Sequence, residues 1–286
     1  MDDNYVYVYY TTVDTSVHNR VSRFPATEDT NGNVVTEVEE EEILFELPPL
    51  SATNHNGGAI HFGQGEGEED KLYVAVGENA RPSAAQPLGT TLGKMLRINK
   101  DGSIPTDNPF NARTAGDNQA IWALGLRNPY SFDVQSETGR IFINDVGQKV
   151  WEEINDGVPG ANYGWPVFEG PYRYKKKGKK RRGYYGYPLL HAYTHGSGCA
   201  ITGGAFYNPP SDANSPFPDD YLGDYFFADF CGGWIARYDI ATDTATSFAS
   251  GDGEFPVDLK VGSEGDLFFL ARNPGSVEKI SYTPTP

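Results

Sequence analysis

The stretch from His55 to Gly170 decides the fold, because short runs of strand-forming residues alternate there with turns rich in glycine. Three of these runs are LYVAV at 72–76, MLRI at 95–98 and RIFIN at 140–144, and similar runs follow in YFFA at 225–228 and DLFFL at 266–270. Aromatic and β-branched residues favour strands, and helical periodicity is almost absent. Many short strands with glycine-rich turns predict an all-β fold, which is a sandwich, a barrel or a propeller.

A weak internal repeat favours the propeller among these three folds. Residues 65–76, 137–145 and 262–271 share one pattern, in which a polar turn with glycine leads into an alternating strand that ends near a small residue. Spacings of roughly 40–70 residues fit blades of four strands joined by loops of variable length. We therefore predict that each copy belongs to one blade of a β-propeller.

The composition bounds the domain organisation and excludes two kinds of partner. A chain of 286 residues is long enough for one large all-β domain or for two ordinary domains. The formal net charge of −16 argues against nucleic acid, because phosphate binding needs a basic face. The sequence has no run of about 20 apolar residues, which predicts that no segment spans a membrane.

A set of short motifs follows in a fixed order between residues 55 and 166. They are HNGG (55–58), LYVAVGEN (72–79), LGKMLRI (92–98), SIPTDNPF (103–110), GLRNP (125–129), DVGQ (145–148), WEEIN (151–155) and NYGWP (162–166). The ordered set resembles the glucose/sorbosone dehydrogenase family, the soluble aldose dehydrogenases that depend on pyrroloquinoline quinone (PQQ). The resemblance implies oxidation of an aldose sugar at C1 to the lactone, transfer of the electrons through PQQ to an acceptor, and a secreted or periplasmic location.

The resemblance also implies a six-bladed propeller, and the length of the chain bears on this expectation. Six blades of about 50 residues need about 300 residues before insertions. Family members begin with a blade that precedes anything like the run YVYVYY at 5–10. We therefore expect a single propeller domain over residues 1–286, truncated at its N-terminus and lacking most of its first blade. A natural five-bladed or open propeller is the alternative.

Three side chains are predicted to carry the catalysis. By resemblance His55 is the general base that takes the proton from the anomeric hydroxyl while hydride passes to the quinone, a role that suits an ordinary pKa of about 6.5. Arg127 would lie over the quinone carbonyls and stabilise developing negative charge. Glu78 stands where the family usually has an aspartate, and a carboxylate there would fix the tautomer of His55. The structural alternatives are a packed histidine, an arginine bridge between blades and an exposed loop carboxylate.

The resemblance assigns two calcium sites as well. The main-chain carbonyls of Gly147 and Gln148 would hold a calcium ion that polarises the quinone, since calcium accepts hard oxygen ligands in variable geometry. Glu153 and Tyr163 match the ten-residue spacing of a second family site. A structural hydrogen-bonding role is the alternative for the WEE run.

One position departs from the family pattern on the cofactor side. Asn128 and Thr202 would join Arg127 in binding PQQ, but Tyr207 is followed by Asn208, where the family commonly has a lysine or arginine that faces the cofactor's carboxylates. Burying the three carboxylates of PQQ without charged donors is costly. This departure favours a second hypothesis, a non-catalytic propeller that binds a glycan or a protein partner, as some family members do.

Residues 171–187 form a predicted loop insertion. Its basic run, KKKGKKRR at 175–182, stands out in an acidic chain. Such a run is either a solvated loop or a binding site for a polyanion such as an acidic polysaccharide.

The chain has only two cysteines, Cys199 and Cys231, too few for a disulfide framework or a full zinc site. They form either one disulfide or two buried thiols. The secreted or periplasmic location that the resemblance implies would preserve a disulfide, and we predict one.

Overall fold

The chain is built almost entirely from β-strands. The computed structural model describes residues 4–174, 188–211, 213, 216–251 and 254–282. Within these residues five sheets of three or four strands form the blades of a propeller, beside one two-stranded hairpin. The helical content of this part is limited to short 3₁₀ turns at Val38–Glu40, Pro82–Ala84, Asn111–Arg113, Gly116–Ala120 and Asp219–Tyr221. The prediction of an all-β propeller is confirmed, whereas the six-bladed type and the missing first blade stay predictions.

The blades follow one another along the chain, and neighbouring strands within each are antiparallel. Blade 1 contains β1 (Tyr5–Thr12), β2 (His18–Glu28), β3 (Val34–Thr36) and β4 (Glu42–Pro49). Blade 2 contains β5 (Gly57–Phe62), β6 (Lys71–Val76), β7 (Lys94–Asn99) and β8 (Ile121–Leu124). Blade 3 contains β9 (Pro129–Val134), β10 (Ile141–Asp145) and β11 (Trp151–Asp156); the hairpin of β12 (Phe168–Glu169) and β13 (Tyr172–Arg173) precedes its last strand, β14 (Leu189–Thr194). Blade 4 contains β15 (Ile201–Phe206), β16 (Tyr225–Asp229), β17 (Trp234–Asp239) and β18 (Thr244–Ser250). Blade 5 contains β19 (Pro256–Val261), β20 (Leu267–Ala271) and β21 (Ser276–Ile280).

A blade that is packed between two neighbouring blades buries both of its faces. This explains why its middle strands are apolar on both sides. In β6, Leu72 and Val74 pack in a cluster with Phe45 of blade 1, whereas Tyr73 packs in a second cluster with Phe132 of blade 3. Successive side chains of a strand point to opposite faces, so one strand serves two interfaces. Burial of each large apolar side chain contributes about 1.5–3 kcal/mol to this packing.

The repeat in the sequence corresponds to one element of the blade. Its three copies are the hairpins that lead into β6, β10 and β20, each the second strand of its blade. The turns contain glycines with positive φ, for example +69° at Gly139 and +84° at Gly265, a conformation that residues with a Cβ rarely adopt. The sequence repeat therefore corresponds to the glycine-containing turn of these hairpins.

The first strands of successive blades lie side by side around the axis and run in one direction. The strands β1, β5, β9, β15 and β19 contact one another in this order. Ser131 Oγ donates to the Gly203 carbonyl at 2.9 Å. Two residues further along β9 and three further along β15, the Phe206 N–H donates to Asp133 Oδ2 at 2.8 Å. Thr202 Oγ1 donates to the carbonyl of Pro256, which starts β19, at 2.7 Å. We call the end at which β5, β9, β15 and β19 begin the mouth of the propeller.

Cys199 and Cys231 form the predicted disulfide, with their Cα atoms 5.5 Å apart. It joins the loop before β15 to the turn after β16, within blade 4. The predicted basic insertion at 171–187 falls mostly outside the described residues, so its role stays a prediction. In the part of the chain that the structure describes, no helix is long and apolar enough to cross a membrane.

Candidate functional site at the mouth

Four of the predicted residues meet at the mouth. His55 Nδ1 lies 2.5 Å from Glu78 Oε1, and Arg127 Nη2 lies 2.9 Å from His55 Nε2. The Arg127 Nε and Nη2 atoms also donate to Gln148 Oε1 at 3.2 and 3.0 Å. Four separate loops, after β4, after β6, after β8 and after β10, thus deliver one hydrogen-bonded group.

The hydrogen bonds of His55 define its tautomer. A guanidinium has only donors, so His55 Nε2 accepts from Arg127 and carries no proton. The imidazole proton then lies on Nδ1 and is donated to Glu78, whose carboxylate is fully buried. Glu78 is therefore not the exposed loop carboxylate of the alternative interpretation. The arrangement leaves a basic Nε2 atom that faces Arg127.

The HNGG motif is shaped by the close approach of two loops. His55 has φ of +56°, a region that residues with a Cβ rarely adopt, and its carbonyl accepts the Asn79 N–H at 3.0 Å. A Cβ added at Gly57 would collide with the Ala75 carbonyl, and one added at Gly77 would collide with the His55 carbonyl. Both glycines are needed for His55 to sit against the end of β6.

Asp145 holds the turn that carries Arg127 and Asn128. Its carboxylate accepts their backbone N–H groups at 2.9 and 2.6 Å, and burial raises its pKa. Asn128 Oδ1 accepts the Gly57 N–H at 3.2 Å, and the Arg127 carbonyl accepts the Glu78 N–H at 2.8 Å. The turn before β9 is therefore fastened to the start of β5 and to the loop after β6, both in blade 2.

Two buried carboxylates organise the loop that contains Gly147. Oε1 of Glu169 accepts successive backbone N–H groups at 2.9, 2.6, 2.8 and 3.3 Å, those of Gln148, Lys149, Val150 and Trp151. Oε2 of Glu152 accepts the Gly147 N–H at 3.2 Å, and Oε1 of Glu152 lies 2.7 Å from His195 Nε2. Burial raises the pKa of Glu152 to about 8. For Glu152 this matches the structural role that was the alternative for the WEE run.

Peptide planarity then sets the direction of the loop's carbonyls. In a trans peptide the C=O points opposite to the N–H of the next residue. Because the N–H groups of Gln148 and Lys149 point at Glu169, the carbonyls of Gly147 and Gln148 point away from that carboxylate. These are the two oxygens that the sequence predicts as calcium ligands.

Glu153 and Tyr163, the second predicted calcium pair, are both buried. The Glu153 carboxylate accepts the Gly170 N–H and, at 3.2 Å, the Asn155 side-chain amide. Burial raises its pKa. Tyr163 donates its N–H to the Leu124 carbonyl at 2.9 Å. Each residue is held by its own hydrogen bonds, and their joint role as a calcium site stays a prediction.

The remaining cofactor positions lie at opposite ends of β15. Thr202 is at the mouth, where its hydroxyl is engaged by the Pro256 carbonyl. Asn208 follows the far end of β15, whereas His55 and Arg127 precede the first strands of their blades. Since these strands run in one direction, the expectation that Asn208 faces a cofactor bound beside Arg127 is wrong. The sequence-based objection to PQQ binding therefore loses its geometric basis.

A cavity of about 460 Å³ opens beside this group and extends between β5, β9 and β19. Gly57 and Gly58 line it next to His55, and Tyr130 lines it next to the GLRNP motif. Asp258 and Lys260 of blade 5 complete the polar part of its wall. The cavity therefore has room for a bound molecule and begins two residues after His55 along the chain, while its lining contains none of the side chains of His55, Glu78 and Arg127.

Sequence reasoning missed three carboxylates that hold the site, Asp145, Glu152 and Glu169. Asp145 and Glu152 belong to the motifs DVGQ and WEEIN, but no spacing rule shows that they accept backbone N–H groups. Glu169 had no signal in the sequence, because its partners lie 18 to 21 residues away across a loop.

The fold and the site define a β-propeller protein with a histidine–carboxylate pair and a buried arginine at one mouth. The chain belongs to the glucose/sorbosone dehydrogenase family, whose sequence profile, described as Glucose / Sorbosone dehydrogenase, matches residues 1–277.

The chain is also similar to named dehydrogenases. The chain is 38% identical over 125 residues to the aldose sugar dehydrogenase YliI of Escherichia coli strain K12, a match that covers 44% of this chain and 32% of that protein. It is 34% identical over 149 residues to quinoprotein glucose dehydrogenase B of Acinetobacter calcoaceticus, covering 45% and 29%. The matches thus span about a third of these relatives. A glucose dehydrogenase crystal structure superposes with a TM-score of 0.81 at 24% identity, covering 99% of this chain and 80% of that one, which supports the fold.

Proposed function

We propose that the protein is a PQQ-dependent aldose dehydrogenase that oxidises a sugar at C1 to its lactone and passes the electrons to an external acceptor. The observation that carries the proposal is the His55 imidazole, held by Glu78 on one nitrogen and by Arg127 on the other. Membership of the family and the names of its relatives, an aldose sugar dehydrogenase and a quinoprotein glucose dehydrogenase, support sugar oxidation as the activity.

The charge and shape of the mouth fit PQQ. The Arg127 guanidinium is buried, which lowers its pKa, and no carboxylate of the described residues forms an ion pair with it. A buried cation of this kind favours a partner that gains negative charge. The cavity beside Gly57 supplies room for the ring system. PQQ supplies an acceptor for the two electrons that leave the sugar.

The residues of this chain would divide the remaining work. His55 Nε2 would accept the proton of the C1 hydroxyl once the substrate displaces or shares the hydrogen bond from Arg127. Glu78 would keep the ring oriented and stabilise the imidazolium that forms. Arg127 and Asn128 would position the cofactor.

The two predicted sites offer oxygen atoms of the kind that calcium binds. The carbonyls of Gly147 and Gln148 point away from the Glu169 carboxylate and therefore face the other side of the loop, and Glu153 is a buried carboxylate. Carboxylate and carbonyl oxygens are the ligands that calcium prefers. We propose Gly147 with Gln148 as one site and Glu153 with Tyr163 as a second site.

Calcium is expected to raise the melting temperature relative to chelator, because a ligand that binds only the folded state stabilises it. At a calcium concentration of 100 times Kd the gain is about 2.7 kcal/mol. Glu153→Gln is expected to reduce the shift, while Glu264→Gln, a change at an exposed turn, leaves it unchanged. Differential scanning calorimetry checks this. An equal shift in wild type and Glu153→Gln would remove Glu153 from the proposal.

The activity itself is tested by titrating the protein with PQQ and calcium by ultraviolet-visible absorbance, followed by dye reduction with a panel of aldoses. We expect saturable binding and dye reduction with at least one aldose. Absence of PQQ binding would favour the non-catalytic propeller instead. Binding of PQQ without dye reduction would support PQQ as the cofactor but overturn the proposal that the substrate is an aldose.

The finer assignments of the whole protein belong to the same proposal. We propose that the five sheets are blades of a six-bladed propeller domain, as the resemblance to the family implies. A secreted or periplasmic location is supported by the disulfide, which persists in oxidising compartments.

A further inference from the structure

Arg272 is a basic residue at the mouth to which neither the motifs nor the family resemblance point. It directly follows β20, whose end pairs with the start of β19 at Pro256, and its N–H donates to the Phe255 carbonyl at 3.2 Å. Because β19 begins at the mouth, Arg272 lies at the same end of the propeller as His55 and Arg127.

The Arg272 side chain rests on a rigid aromatic platform. Its Cζ atom lies 5.7 Å from the ring centroid of Phe230, which in turn lies 5.1 Å from the ring of Phe255. Phe230 stands between Asp229, which is fully buried, and Cys231, which is in the disulfide. The platform therefore limits the freedom that a long side chain loses when it binds a ligand.

The charge of Arg272 is not neutralised by its surroundings. Its side chain is exposed, and it takes part in none of the ion pairs of the described residues, unlike Arg97 and Arg140. Its positive charge reaches Tyr130, where it opposes the rise of the hydroxyl pKa that burial and then Asp258 cause. Tyr130 lines the cavity beside His55. An unpaired cation thus acts on the wall of the proposed cofactor site.

We propose that Arg272 binds a carboxylate of PQQ at the mouth. A planar guanidinium donates two parallel hydrogen bonds to a carboxylate, which makes arginine well suited to this contact. The inference rests on the proposed function, since it assigns a binding residue to the same site.

The affinity for PQQ in saturating calcium tests this assignment, measured by quenching of tryptophan fluorescence. Arg272→Gln is expected to weaken binding roughly 10–100-fold, the loss that corresponds to one charge-assisted hydrogen-bonded pair. Arg272→Lys is expected to retain part of the affinity, because it keeps the charge without the fork. The affinity of wild type is expected to fall more steeply with salt than that of Arg272→Gln.

Two control variants separate this contact from a general effect of charge. Arg113 also stacks on an aromatic ring, 5.6 Å from Phe110, but it lies in the β7–β8 connection at the opposite end. We expect Arg113→Gln and Asn208→Lys to bind PQQ as wild type does. Equal affinities of Arg272→Gln and wild type would overturn this inference alone. A tighter Asn208→Lys together with an unaffected Arg272→Gln would overturn it as well. A wild-type protein that binds no PQQ would overturn the proposed function together with this inference.

Discussion

Replacing His55 by glutamine is expected to lower turnover of the PQQ-loaded protein about 10²–10⁴-fold, the usual cost of removing a general base. The glutamine amide can donate to Glu78 and accept from Arg127, so it preserves both contacts of the imidazole. It cannot accept the proton of the sugar hydroxyl. Dye reduction with the best aldose of the panel measures the loss.

His55→Ala is expected to lose as much turnover and, in addition, stability. In this variant the Glu78 carboxylate would stay fully buried but would lose the hydrogen-bond donor that His55 supplies. An unsatisfied buried acceptor costs about 1–3 kcal/mol and more when charged. The glutamine variant is expected to unfold close to the wild-type temperature and to keep its affinity for PQQ. Turnover of His55→Gln within a few-fold of wild type would exclude His55 as the base.

The strands were predictable because their pattern is local. The predicted runs at 72–76, 95–98, 140–144, 225–228 and 266–270 differ from β6, β7, β10, β16 and β20 by at most one residue at either end. Buried strands between two blades are apolar on both faces, and this composition is visible in the sequence. The loops that follow such strands then carry the motif residues.

The site was predictable only as a set of residues. The family resemblance predicts that His55, Glu78 and Arg127 act together. The hydrogen bonds between them join residues that are 23 and 72 positions apart in the sequence. Asn208 shows the limit. Asn208 lies two residues beyond the end of β15, so its side chain is at the opposite end of the propeller from Arg127. The direction of a strand depends on how the sheet forms, and no sequence motif specifies it.

The acidic residues at the mouth show a second limit. Glu169 and Asp145 hold loops by accepting backbone N–H groups, and such contacts depend on loop conformation rather than on residue type. Arg272 was overlooked for a similar reason. The proposed role of Arg272 depends on the rings of Phe230 and Phe255, which come into contact only when blades 4 and 5 pack together.

Removing the disulfide is expected to lower the free energy of unfolding by about 3–4 kcal/mol, because a crosslink between residues 32 positions apart restricts the unfolded chain. The double variant Cys199→Ser/Cys231→Ser makes this change without leaving a free thiol. The native geometry is expected to persist, since Asp229 accepts the N–H groups of Cys199 and Gly232 at 3.0 and 2.7 Å and so bridges the same two segments. Equilibrium denaturation in guanidinium chloride measures the difference between the two proteins.

Reduced wild-type protein is the matched comparison, because it loses the same crosslink without any substitution. We expect its unfolding free energy to equal that of the double variant. If the platform under Arg272 is held by Asp229 after the crosslink is gone, both proteins also keep their affinity for PQQ at temperatures well below unfolding. Equal stability of oxidised wild type and the double variant would contradict the entropic account, whereas a selective loss of PQQ affinity would mean that the disulfide, rather than Asp229, fixes the platform.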